Sequence, residues 1–69
     1  MPNNYHITPL TPAQIAVNHQ SEAYFYYARA RASQELGFKE SAIYFQRAAA
    51  FEVVLARQQM GISKVTFHA

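Results

Sequence analysis

Residues 24–52, with the sequence YFYYARARASQELGFKESAIYFQRAAAFE, decide the fold of this chain. The stretch consists of two amphipathic segments joined at Gly37. Glycine adopts a positive φ at low steric cost, so Gly37 is placed to end one helix, and a tight turn after it reverses the chain. The sequence therefore predicts an all-α fold, an antiparallel helical hairpin.

The start of the first helix is well marked. The sequence TPAQ at residues 11–14 supplies a threonine cap, a proline at the first helical position and a glutamine three residues after the cap, which together form a capping box. Residues 1–10 show no sustained period and are expected to form a flexible arm. The polar NHQS at residues 18–21 leaves two options open, either one continuous helix to Leu36 or a break followed by a second start at Ser21.

The second helix is expected to run from Lys39 or Glu40 to Met60, with Gly61 as its terminating residue. Residues 62–67, ISKVTF, then alternate apolar and polar side chains, which suits a short strand. An isolated strand has no hydrogen-bond partner, so it either pairs across a subunit interface or stays a tail. The expected organisation is thus an arm at 1–10, a hairpin domain at 11–61 and a tail at 62–69.

Length and composition indicate association. A chain of 69 residues forms one domain at most and buries only roughly 60% of the surface that its unfolded form exposes. Folds of this size usually recruit disulfides, a metal or another subunit, and this chain has no cysteine. Hydrophobic residues make up 51% of the chain and charged residues 14%, a balance typical of an oligomer. We therefore expect a homodimer that completes a small helical bundle.

Charge and hydropathy favour a cytoplasmic protein without a membrane span. The opening residues contain no apolar signal-peptide core, and no run of about 18 apolar residues occurs. The net charge of +2 is a weak basic bias. Arg29 and Arg31 lie about 200° apart on a helix and form no single basic stripe, which disfavours nucleic-acid binding.

The apolar side chains of the second helix exceed what one partner helix can cover, because they span an arc of roughly 200°. We expect alanines of the first helix to face Tyr44, Phe45 and Phe51 of the second, small against large. Residues 24–27 are four consecutive aromatics that cannot all face one core. The predicted partner-binding residues, which are also candidates for a dimer core, are Tyr24, Tyr27, Tyr44, Phe45, Phe51 and Leu55 for apolar contacts, with Arg47 and Arg57 orienting an acidic edge of the partner.

The sequence favours a protein that is not an enzyme and has neither a metal nor another cofactor. His6, His19 and His68 are scattered, with no spacing that would place two ligands on one helix face. Both glycines are predicted at helix ends, so no phosphate-binding glycine loop is present. No nucleophile and base occur at a spacing typical of catalysis.

The chain resembles a known family in its alanine, aromatic and glycine positions. The matching residues are Tyr27, Ala28, Ala32, Glu35, Gly37, Ala42, Phe45, Arg47, Ala48 and Ala49. This pattern is similar to that of the ANR proteins, small negative regulators of AraC-type transcription activators. The resemblance implies a helical protein that docks on such an activator and blocks the activator's dimerisation. Residues 35–52 also resemble the second half of a tetratricopeptide repeat, a unit that requires self-association or a protein ligand.

The predicted function is a small regulator that binds another protein through an apolar helical surface and inhibits or redirects it, with a transcription activator as first choice. One alternative is an accessory protein of a phage or mobile element that redirects a phage packaging or assembly component. A nucleic-acid-binding module is a further alternative, for which binding would weaken steeply with salt.

Overall fold

The computed structural model describes residues 9–68, and the side chains of residues 9–62. Two helices, α1 (Pro12–Glu35) and α2 (Lys39–His68), pack side by side in opposite directions. No strand occurs between residues 9 and 68. The predicted all-α helical hairpin is therefore confirmed. In the described part of the chain, neither helix combines the length and the apolar character needed to cross a bilayer.

The capping box predicted at the start of α1 is present. The Gln14 backbone N–H donates to the Thr11 hydroxyl over 3.2 Å, and the Thr11 N–H donates to the Gln14 side-chain oxygen over 2.8 Å. The helix then continues without a break through residues 18–21. The Ser21 hydroxyl donates to the Val17 carbonyl over 3.1 Å instead of capping a second start, which decides between the two options in favour of one helix.

The turn between the helices is a Schellman motif centred on Gly37. Gly37 has φ +82°, and its N–H donates to the Gln34 carbonyl over 3.0 Å. The Phe38 N–H donates to the Ser33 carbonyl over 2.8 Å. These two bonds satisfy carbonyls that the end of α1 would otherwise leave open. The Phe38 carbonyl then accepts from the Ala42 N–H over 3.0 Å as α2 begins.

The predicted end of the second helix is wrong. Helix α2 passes Met60 and Gly61 and reaches His68, so residues 62–68 are neither a strand nor an irregular tail. Gly61 lacks the positive φ that a terminating glycine takes. A glycine inside a helix costs only about 1 kcal/mol relative to alanine, whereas an unpaired strand would leave its backbone groups without partners. The predicted arm falls mostly on residues 1–8, which lie outside the described residues.

Alanine forms the contact between the two helices. Three alanines at seven-residue intervals on each helix are buried, and we call them the alanine seam: Ala16, Ala23, Ala30, Ala42, Ala49 and Ala56. A seven-residue repeat keeps one stripe of each helix against the other, as in a coiled coil. Methyl groups at this stripe let the axes approach toward the close end of the roughly 8–10 Å range. The expected small-against-large interface is therefore wrong, since the seam is small against small.

Larger side chains fill the alternate layers between the alanines. His19 meets Glu52, with 2.5 Å between Nδ1 and a carboxylate oxygen, and Tyr26 stacks on Phe45 with ring centroids 6.2 Å apart. Each pair is separated from the next by seven residues on both helices, so both pairs have the same antiparallel register. The layers alternate between alanine and these half-buried pairs along the hairpin.

The interior of a single hairpin is small. Among residues 9–62, the only buried side chain besides the seam alanines is Ser33. A buried methyl group contributes about 0.8 kcal/mol, against about 1.5–3 kcal/mol for a fully buried Val, Leu, Ile, Phe or Met. Most of the large apolar side chains therefore contribute little to the stability of the isolated hairpin, and they remain accessible on its surface.

Candidate docking faces of the hairpin

The seam divides the rest of the hairpin surface into two broad faces. Because the helices touch along one narrow stripe, side chains next to the stripe project to one side or the other of the plane that contains both helix axes. In an antiparallel pair, equivalent heptad positions of the two helices lie on the same side. The side that contains Tyr24, Tyr27, Arg57 and Met60 is called the groove face. The opposite side, which contains Phe25, Tyr44 and Phe51, is called the aromatic face.

The groove face contains a shallow open depression of about 620 Å³ between the helices. Helix α1 contributes Tyr24 and Tyr27, which are 76% and 49% exposed, and α2 contributes Arg57 and Met60. The remaining lining residues are Gln20, Ala23, Val53, Ala56 and Gly61. Two tyrosine rings, a methionine and an arginine thus surround a trough whose floor is the alanine seam, a shape suited to the apolar side of another helix.

Among the described residues that line the depression, Arg57 is the only charged one. Arg31 has the same heptad position as Tyr24 one repeat further along α1, where it lines a second, smaller pocket together with Tyr27 and the acidic Glu35. A positive side chain beside an apolar trough favours an occupant with acidic side chains along its edges.

The aromatic face carries a chain of ring contacts across the hairpin. Phe25 packs edge-on against Tyr26 with centroids 5.7 Å apart, and Tyr44 packs edge-on against Phe45 at 5.4 Å. The Tyr26–Phe45 stack joins these two pairs. Phe51, one repeat beyond Tyr44 on α2, is 62% exposed. Four rings in contact, with the exposed Phe51 one repeat further along, thus form an apolar surface on this side of the hairpin.

The charges on the aromatic face cancel. Its flanking positions hold one acid, Glu22, and one base, Arg29, both on α1. The Arg29 guanidinium lies over the Phe25 ring, 5.2 Å from the centroid, in cation–π geometry. Helix α2 contributes no charged residue to this face between residues 41 and 62.

The structure separates the predicted partner-binding residues into these two faces. Tyr24, Tyr27 and Arg57 line the groove, whereas Tyr44, Phe51 and Leu55 belong to the aromatic face. Phe45 is half-buried between the helices, where it joins the ring contacts of the aromatic face, and Arg47 is exposed on α2 and does not line the groove. The joint role of Arg47 and Arg57 toward an acidic edge of a partner stays a prediction.

The sequence interpretation missed six of the groove residues and one interhelical contact. The six residues are Gln20, Ala23, Val53, Ala56, Met60 and Gly61. The pairing of His19 with Glu52 also went unrecognised, because the histidines were assessed only as metal ligands. The seven-residue alanine repeat is the sequence signal that could have located the missed groove residues and the contact between His19 and Glu52. It determines which positions flank the seam and which positions meet across it.

Among the side chains of residues 9–62, no group of three or more His, Cys, Asp or Glu comes together in a way that could hold a metal ion. The features that do come together are apolar faces of different charge.

Comparison of the chain with protein-family models, with curated proteins and with solved structures gives no match.

Proposed function

We propose that this chain is a small regulator that binds another protein by holding an amphipathic helix in its groove face. The observation that carries the proposal is the groove itself, an apolar trough of about 620 Å³ between two helices. Helix-in-groove recognition uses apolar side chains at successive turns of the bound helix. Tyr24, Tyr27 and Met60 would contact those side chains, with the alanine seam as the floor.

The expected occupant is acidic. Arg57 supplies positive charge at the groove, and none of the described residues that line the groove is acidic. The partner helix should therefore present an apolar stripe bordered by Asp or Glu. Such charge pairing at the rim of an interface accelerates encounter and fixes orientation more than it adds affinity.

The resemblance to the ANR proteins makes a transcription activator the first choice of target. Occupying a helix that the activator needs for its own dimerisation would inhibit the activator without any chemical step. A packaging or assembly component of a phage is the alternative target, and the groove accommodates a helix from either source. The identity of the captured protein distinguishes the two.

The test compares two substitutions that make the same charge change on the same helix. Tagged wild-type chain, Arg57→Glu and Arg47→Glu are each used to capture proteins from nuclease-treated lysate of the native host, and captured proteins are identified by mass spectrometry. Arg57 lines the groove and Arg47 is exposed outside it. We expect one protein to be recovered with wild type and with Arg47→Glu, and to be lost or strongly reduced with Arg57→Glu.

Two results would count against the proposal. Equal recovery with all three chains would show that the captured protein does not use the groove. Recovery that disappears on nuclease treatment would instead indicate nucleic-acid binding. In that case, a plot of the logarithm of the binding constant against the logarithm of salt concentration should fall with a slope of about one per phosphate contact.

A further inference from the structure

We propose that the aromatic face binds a second copy of this chain, giving a four-helix dimer with a groove face exposed on each outer side. The assignment of the opposite face to a partner rests on the proposed function, whereas the self-association needs no partner.

The single hairpin lacks a core of ordinary size. Its buried side chains over residues 9–62 are six alanines and one serine. Domains of this length rarely gain enough stability from one hydrophobic core and usually need disulfides, metals or association. The chain has no cysteine, and no metal cluster forms among the described side chains. Covering one face with a second copy supplies the missing core and is available wherever the chain itself is present.

The aromatic face supplies a large part of the area that a stable dimer needs. Phe25, Tyr44 and Phe51 are 51%, 65% and 62% exposed. Because an aromatic side chain can bury roughly 150–250 Å², each of them still offers on the order of 100–150 Å². Together with the half-buried Leu55, these three rings provide roughly half of the area per partner of a standard interface.

Charge separates the two faces as sites for self-association. Joining two groove faces would place Arg57 of each copy at the interface, with no acidic residue among the described lining of the depression to pair with it. Each aromatic face contributes one Glu22 and one Arg29, so joining two of them gives an interface without net charge. Because like charges across an interface oppose association, the aromatic face is the better site for a second copy.

The position of the rings also fits a two-fold dimer. Phe25 and Tyr44 flank the Tyr26–Phe45 stack and therefore lie at one level of the hairpin, on different helices. In a two-fold interface, a contact from residue i to residue j is matched by a contact from j to i. A two-fold axis parallel to the helices would place Phe25 of each copy against Tyr44 of the other, forming one aromatic layer in the middle of the bundle.

The test places a photo-cross-linker on each face of the purified chain, with no partner present. p-Benzoylphenylalanine replaces Tyr44 in one sample and Tyr24 in the other, so that an aromatic ring replaces an exposed aromatic ring in both. After irradiation at tens of micromolar, we expect a covalent dimer from the Tyr44 position and little from the Tyr24 position. A dimer from the Tyr24 position alone would overturn the proposal by placing self-association on the groove face.

Sedimentation of two charge variants provides an independent readout. Phe51→Glu should weaken association by roughly a hundredfold or more, because each dimer would bury two unpaired carboxylates. Tyr24→Glu, the matched change on the groove face, should leave the dimer intact. A wild-type chain that stays monomeric and helical at tens of micromolar would refute the second copy as occupant, while leaving the groove proposal standing.

Discussion

Replacing each glycine by alanine should change stability in opposite directions. Gly37 lies at φ +82° in the turn, whereas Gly61 lies inside α2. Apart from the adjacent residues and the backbone of its own helix, a methyl group built at either position meets no atom within 4 Å, so neither change introduces a clash. The difference in outcome therefore comes from the backbone alone.

The magnitudes follow from the two conformations. Alanine in the left-handed region costs about 1–2 kcal/mol, and the lower entropy of the unfolded chain offsets about 0.4–1 kcal/mol of that. We expect Gly37→Ala to destabilise the fold by about 0.5–1 kcal/mol. Gly61→Ala should stabilise it by about 0.5–1 kcal/mol, because alanine is the better residue inside a helix.

The assay is urea unfolding followed by far-ultraviolet circular dichroism. All three chains must be compared at one fixed protein concentration, since the proposed dimerisation would make the apparent stability depend on concentration. A destabilising effect of Gly61→Ala would mean that α2 ends at residue 61 with a positive φ, as a terminating glycine requires. A stabilising effect of Gly37→Ala would contradict the Schellman turn.

Three further substitution experiments test the packing between the helices. Ala49→Leu should destabilise the fold by about 1–3 kcal/mol in urea unfolding, because Ala49 is fully buried in the seam. The control Ala50→Leu, at an exposed neighbouring position, should change stability by less than about 0.5 kcal/mol. Equal effects of the two substitutions would contradict the seam. A double-mutant cycle with His19→Ala and Glu52→Ala should give a coupling of about 0.5–1.5 kcal/mol, and no coupling would remove the pair from the register argument. Phe45→Ala should lower the free energy of unfolding by about 1–3 kcal/mol, because Phe45 is half-buried against Tyr26. This is less than the roughly 3–5 kcal/mol expected for a fully buried ring. A loss below about 0.5 kcal/mol would mean that the stacked layer does not support the hairpin.

The elements with local signals were predictable from sequence. The capping box at Thr11 and Gln14 and the turn at Gly37 depend on a few neighbouring residues, and both are present as expected. The end of α2 was not predictable from sequence. A glycine can either end a helix or lie inside it, and only the backbone conformation of Gly61 shows that it lies inside α2. Local composition at such a position is compatible with either outcome.

The candidate site was only partly predictable because it depends on which side of the seam each residue occupies. Treating α2 as one broad apolar arc placed Tyr44 and Phe45 in a common core, whereas the structure leaves Tyr44 65% exposed beside the half-buried Phe45. Adjacent residues on a helix diverge by about 100°, so one position decides between interior and surface. Pairings across the hairpin such as His19 with Glu52 require the register, which a single helix does not contain.

If a second copy or a target covers the large side chains, as proposed, the alanine seam makes the amount of this protein a variable in its own folding. A hairpin held by methyl groups would then gain stability from that cover, and its folded fraction would rise with the concentration of the chain or of its target. Below a threshold set by those affinities, the chain would spend more time open and exposed to proteolysis. Synthesis rate and target abundance would then together set how long each molecule survives, and excess copies without a companion would be removed first.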